Sequence, residues 1–132
     1  MTPDWVAVFA ALAVAHLAGD FILQTEFQAT HKHRGLGRDP LRRRALALHT
    51  LTYTLCHVPV LVWLADDLGT AGTAAAAAAV AVPHALLDDG RFVRWWLRAV
   101  KHTSDAPGAL ATSVDQSFHM VALFALAIVV GR

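Results

Sequence analysis

The chain has 132 residues and a formal net charge of +1, with 56% hydrophobic and only 16% charged residues. A soluble domain carries about 25% charged residues, so this chain lacks the polar surface of a water-soluble protein. Its one cysteine, Cys56, excludes an internal disulfide and a thiolate zinc cluster.

Four apolar stretches follow one another, at about residues 5–24, 45–64, 73–89 and 109–130. A helix crosses the hydrocarbon core with roughly 20 residues. The pattern therefore predicts an all-α, single-domain, four-helix transmembrane bundle covering residues 1–132. The first stretch follows Asp4 rather than a basic segment and is expected to be a retained span, not a cleaved leader. The third is short and Ala-rich, with an unbroken run from Ala74 to Ala79, which suits a position among other helices.

The connections set the orientation. Lys32, Arg34, Arg38, Arg42, Arg43 and Arg44 lie between stretches one and two, and Arg91, Arg94, Arg98 and Lys101 between three and four. The intervening segment 65–72 carries Asp66 and Asp67 and no base. Positive loops stay in the cytoplasm, so both termini are expected outside a multi-pass protein of the cytoplasmic membrane.

Arg91, Arg94, Arg98 and Lys101 recur at i, i+3, i+7 and i+10, with Phe92, Trp95, Trp96 and Val100 on the remaining surface. That spacing predicts a short amphipathic helix in the headgroup region, its bases against anionic lipid headgroups. The Arg-rich segment 34–44 lacks stacking aromatics, so no nucleic-acid partner is expected.

Ionisable residues inside spans are costly and mark function. Here they repeat as His16/Asp20, His84/Asp88 and Asp115/His119, each a His and an Asp four apart and thus on one helix face. With His49 they all fall in the cytoplasmic half of their spans. Four imidazoles and three carboxylates at one level make a donor set for one or two divalent ions (zinc, manganese or iron). The candidate ligands are His16, Asp20, His49, His84, Asp88, Asp115 and His119, with Gln24, Tyr53 and Gln116 orienting them. His49 and Asp115 are the candidate catalytic bases. His57, two turns beyond His49, is a further polar residue of open role, and His31, His33 and His102 are expected to be solvated.

The pieces His16-Leu-Ala-Gly-Asp20-Phe-Ile-Leu-Gln24, His49 with Tyr53, His84-Ala-Leu-Leu-Asp88 and Asp115-Gln116-Ser-Phe-His119 together resemble domain of unknown function family 3307. The resemblance covers essentially the whole chain. It implies a multi-span protein of the bacterial inner membrane whose motif residues are these, with His57 outside the pattern. It carries no activity. Three functions remain open: a metal-dependent hydrolase of a lipid or phosphorylated substrate, a metal-ion or proton transport protein, and a structural module whose Asp–His pairs fix helix packing. The small size also leaves room for a homo-oligomer that completes the site.

Overall fold

The computed structural model describes residues 3–131, and every regular element in them is helical. Helix α1 spans Trp5–Leu17, started by the Asp4 carboxylate, which accepts from the Val6 amide. It runs on into a π-helical turn, Ala18–Ile22. Helix α2 is Glu26–His31, opened by a reciprocal cap between Thr25 and Gln28. Helix α3 is Pro40–Asp88, α4 is Arg91–Ala99 and α5 is Gly108–Val130.

The two stretches expected at 45–64 and 73–89 are thus carried by one 49-residue element, α3. It is not straight. His49 and His84 are 35 positions apart, which a continuous helix would separate by about 52 Å, yet their ring centroids lie 4.9 Å apart. The reversal occurs at Gly69, with φ 66° and ψ 175°, a conformation that only glycine adopts without strain. The expected loop 65–72 therefore shrinks to one non-helical residue. The helix also begins earlier than expected, because Asp39 caps Leu41 and Arg42 and Pro40 occupies the first turn. Arg42, Arg43 and Arg44 are accordingly helical rather than in a loop.

Each long helix buries one i, i+4 column. In α1 and its π turn the column is Val8, Leu12, His16 and Asp20. In the first arm of α3 it is His49, Tyr53, His57 and Leu61, and in the second arm Ala76, Val80, His84 and Asp88. In α5 it is His119, Leu123 and Ala127. Every column is polar at one end and apolar at the other. The apolar ends, nearest Gly69, form one cluster that includes Val8, Leu12, Leu64, Val80 and Leu123. The polar ends meet beside α2 and α4. Outward positions are apolar as well, with Val14, Leu55, Val62, Val121 and Val129 exposed. Three elements are long and apolar enough to cross a membrane: Trp5–Ile22, Pro40–Asp88 and Gly108–Val130.

Helix α4 covers Arg91, Arg94 and Arg98 of the basic stripe and ends at Ala99, before Lys101. Its buried face is Val93 and Leu97, while Trp95 and Phe92 remain exposed.

Gly69→Ala is expected to cost about 1–3 kcal/mol of stability, because an L side chain is strained at that backbone conformation. Gly108→Ala, where a Cβ meets nothing within 4 Å, should shift stability by less than about 0.5 kcal/mol. Reversible unfolding in detergent compares the two; equal midpoints would mean that the hairpin does not depend on that glycine.

Candidate metal centre

The π turn sets the first ligand position. A turn with i→i+5 bonds widens the helix and re-aims the residues that follow it, and here it carries Gly19 and Asp20 against α3. A Cβ on Gly19 would sit 2.9 Å from the Tyr53 ring and 3.2 Å from its Cα, so the close approach requires glycine. That approach brings the Asp20 carboxylate to the second arm of α3.

Donor atoms of Asp20, His84, Asp88 and His119 all lie within 4.8 Å of one another, and all four residues are buried. His49 borders this group, its Nε2 2.8 Å from Asp88 Oδ2 and 3.3 Å from Asp20 Oδ1. His84 Nε2 is 3.0 Å from Asp88 Oδ2 and 3.7 Å from Asp20 Oδ1. His119 Nε2 is 3.7 Å from Asp88 Oδ1.

Proximity here is not hydrogen bonding. Asp20 Oδ1, Asp88 Oδ1, His84 Nε2 and His119 Nε2 are buried without an aligned hydrogen-bond partner among the described residues. A buried polar atom left unsatisfied costs about 1–3 kcal/mol, and four of them converge on one small volume. His119 supplies a further detail. Its Nδ1 donates to the Asp115 carbonyl at 3.0 Å, which leaves the lone pair on Nε2, facing the other donors. Nitrogen and oxygen donors held so are the set a divalent ion takes.

Around these four is an orienting layer. Gln116 Oε1 accepts from His16 Nε2 at 2.9 Å, so His16 Nδ1 accepts from the Tyr53 hydroxyl at 3.1 Å. The Gln116 amide donates to Asp20 Oδ2 and to Asp115 Oδ2, each at 3.3 Å. Tyr53 stacks on His84 with centroids 3.4 Å apart and planes 4° from parallel. His16 thus has both ring nitrogens engaged and stands outside the group of four, 3.8 Å from Asp20 Oδ2. Asp115 is half-buried and also outside the group, its carboxylate 3.7 Å from His119 Nδ1. His57 donates from Nδ1 to the Tyr53 carbonyl at 2.9 Å and is separated from the centre by the Tyr53 ring.

Lys32 departs most from its expected place. Grouped with loop bases in the sequence, it is buried, and its ammonium donates to Asp88 Oδ2 at 3.0 Å and to Gln24 Oε1 at 2.6 Å. It also lies 3.2 Å from His49 Nε2. Spacing gave no signal for this, since Lys32 ends α2 and reaches the site only because α2 folds back. Asp89 was likewise unmarked. It is buried, its Oδ1 accepts from the Leu36 amide at 2.8 Å, its Oδ2 pairs with Arg91 Nε at 3.3 Å, and its carbonyl accepts from the Arg34 amide at 2.9 Å. His33 is exposed, as expected, with its Nδ1 donating to the Asp88 carbonyl at 3.1 Å, and the half-buried His31 donates to the Phe27 carbonyl at 3.0 Å. His102 is exposed, as expected.

A cleft of about 380 Å³ reaches the edge of the centre at Asp20 and is lined also by Gln24, Lys32, Arg94, Asp115 and Gln116 among others. It gives the carboxylate side of the centre a route outward at the α2–α4 end.

The chain belongs to the family described as protein of unknown function DUF3307, whose model matches residues 8–131. No curated protein and no solved structure matches it.

Asp89→Ala is expected to free the segment 32–37 by removing the acceptor of the Leu36 amide, at a cost of about 1–3 kcal/mol. Deuterium exchange should quicken at Arg34 and Leu36 and stay unchanged in α5. Unaltered exchange at both amides would show that other contacts hold the segment.

Proposed function

We propose that this member of the family is a four-span protein of the bacterial inner membrane that holds a divalent ion between Asp20, His84, Asp88 and His119, and hydrolyses a lipid or phosphorylated substrate at the cytoplasmic leaflet. The single observation that carries the metal is the convergence of four buried residues from three helical segments, each with a donor atom within 4.8 Å of the others. The ten bases at 32–44 and 91–101, against none at 65–72, support an orientation with both termini outside.

Zinc, manganese and iron all accept such an N/O set, and the four donors suit one ion. Bound there, a divalent ion supplies Lewis acidity and neutralises developing negative charge. The chain's own residues do the rest. Gln116 holds the Asp20 carboxylate in place, and the Asp115 carbonyl keeps His119 in the tautomer that presents Nε2. Asp115, half-buried and lining the cleft, is the base positioned to accept a proton from a nucleophile. His49, fully buried and close to Lys32 and Asp88, supports the ligands from behind. His16 acts through Gln116 and Tyr53.

The Lys32–Asp88 ion pair favours a second reading, in which the Asp–His contacts only fix helix packing. Elemental analysis of detergent-purified protein separates the two. About one equivalent of transition metal is expected, lost in Asp88→Ala and His84→Ala and retained in His31→Ala. Absence of metal after reconstitution with zinc, manganese and iron, or equal retention in all variants, would leave the packing reading standing and end the hydrolase one.

A further inference from the structure

Arg34, Arg91, Arg94 and Arg98 converge from two segments distant in sequence. With Trp95 they line a groove of about 550 Å³ beside α4. Among the described residues, the carboxylate ion-paired with this cluster is Asp89, on Arg91. Four guanidiniums against one carboxylate leave a strongly positive pocket. Partial burial, and then the charge of Arg34 with those of Arg91 and Arg98, pull the Arg94 pKa below its usual value. Lys101, the fourth base of the sequence stripe, is exposed in the turn after α4 and does not line this groove.

The cluster is held at a backbone cost. Arg34 has φ 62°, a left-handed conformation that a long side chain rarely adopts. Two bonds to Asp89, from the Arg34 and Leu36 amides, pin it there. Strain of this kind persists only where the surroundings over-determine it, and here it sets Arg34 opposite the α4 stripe.

A second groove begins where the first ends. Arg91 lines both, and beyond it Leu86, Phe92, Phe118, Val121 and Ala122 wall an apolar channel of about 590 Å³ between the second arm of α3, α4 and α5. A cationic pocket continuous with an apolar channel is complementary to an amphiphile with an anionic head. Planar guanidiniums bind phosphate and carboxylate oxygens alike in pairs, and it is the number of them here, four, that favours a phosphate monoester, with its nearly double charge and three acceptor oxygens, over a single carboxylate or a sugar.

We propose that these two grooves together bind one lipid carrying a terminal phosphate, its headgroup held by Arg34, Arg91, Arg94 and Arg98 and one acyl chain lying along Phe92 and Phe118. Arg94 lines the cleft over the metal donors as well as the headgroup pocket. If the hydrolase reading holds, this lipid phosphate is its substrate class; the binding site itself does not depend on that reading.

The test uses full-length protein in detergent micelles, with dioctanoyl phosphatidic acid, dioctanoylglycerol and inorganic phosphate as probes. Phosphatidic acid should bind saturably, and dioctanoylglycerol should not compete. Inorganic phosphate should bind about 100-fold more weakly, the contribution of roughly four buried methylenes. Arg34→Gly removes the guanidinium and relieves the backbone strain, so it should keep the fold and weaken phosphatidic acid about tenfold or more. Ala122→Trp, which fills the channel, should weaken the lipid and leave inorganic phosphate unchanged. Wild-type protein stripped of metal with EDTA should bind the lipid as untreated protein does, which separates this site from the metal centre. Undiminished binding in Arg34→Gly overturns the headgroup assignment. Inorganic phosphate binding as tightly as the lipid, with Ala122→Trp silent, shows a free-phosphate site and overturns the lipid.

Discussion

The α2–α4 end of the molecule is arranged around a carboxylate buried from solvent. Asp88 is 1% exposed at the end of an apolar helical arm. An ionised carboxylate so placed carries an effective desolvation penalty of several kcal/mol, and removing one of its partners leaves that penalty uncompensated. The Lys32 ammonium donates to Oδ2 at 3.0 Å, and the His49 and His84 rings lie 2.8 Å and 3.0 Å from the same oxygen. Each comes from a different part of the chain, so the single charge fixes the relative placement of α2 and both arms of α3. The Gly69 turn and the glycine contact at Tyr53 are the backbone conditions that let those parts meet.

The division of each buried column into a polar and an apolar end constrains function as well as packing. Toward Gly69 the interior is built from residues such as Val8, Leu12, Leu64, Ala76 and Val80, which offer no donor or acceptor to a moving ion. His57 is the buried polar group that extends furthest that way, and its Nδ1 is committed to the Tyr53 carbonyl. A transport path needs a second polar half, whereas a site worked from one face needs only the cleft at Asp115 and Gln116. That division fits the proposed reading, in which the site is worked from one end of the bundle.

Much of this was legible from spacing alone. His84 and Asp88 are four apart on a regular helix, and the regular helix delivers them to one place. Asp115 and His119 share the same spacing but divide their roles, because the His119 ring turns its Nδ1 to the backbone carbonyl of Asp115 and its Nε2 inward. No side-chain pattern encodes that choice. His16 and Asp20 were expected to stack on a regular face; the π turn between them re-aims Asp20 at the centre and leaves His16 to Gln116 and Tyr53. Lys32 could not be found by any local rule, since its role arises from a fold-back that brings the end of α2 onto α3. The loop expected at 65–72 was overestimated for a related reason. Its residues continue the helix on either side, and a single positive-φ glycine is enough to reverse the chain.

The Lys32 ammonium does not fill the place a metal would take, because the two cations would address different oxygens of Asp88. Lys32 donates to Oδ2 of Asp88, the oxygen that also meets His49 and His84. Oδ1 is left without an aligned partner, on the side of His119 Nε2. One carboxylate can serve a lysine through one oxygen and an ion through the other, as ligating carboxylates commonly do with their outer partners. Formal charge points the same way. With the imidazoles neutral, Asp20 and Asp88 carry two negative charges against the one positive charge of Lys32, a deficit that a cation would cancel. Lys32 also lines the cleft, where its charge acts on whatever enters. On the proposed reading, an anionic group arriving at Arg94 and Lys32 would meet the same ammonium that is bound to Asp88.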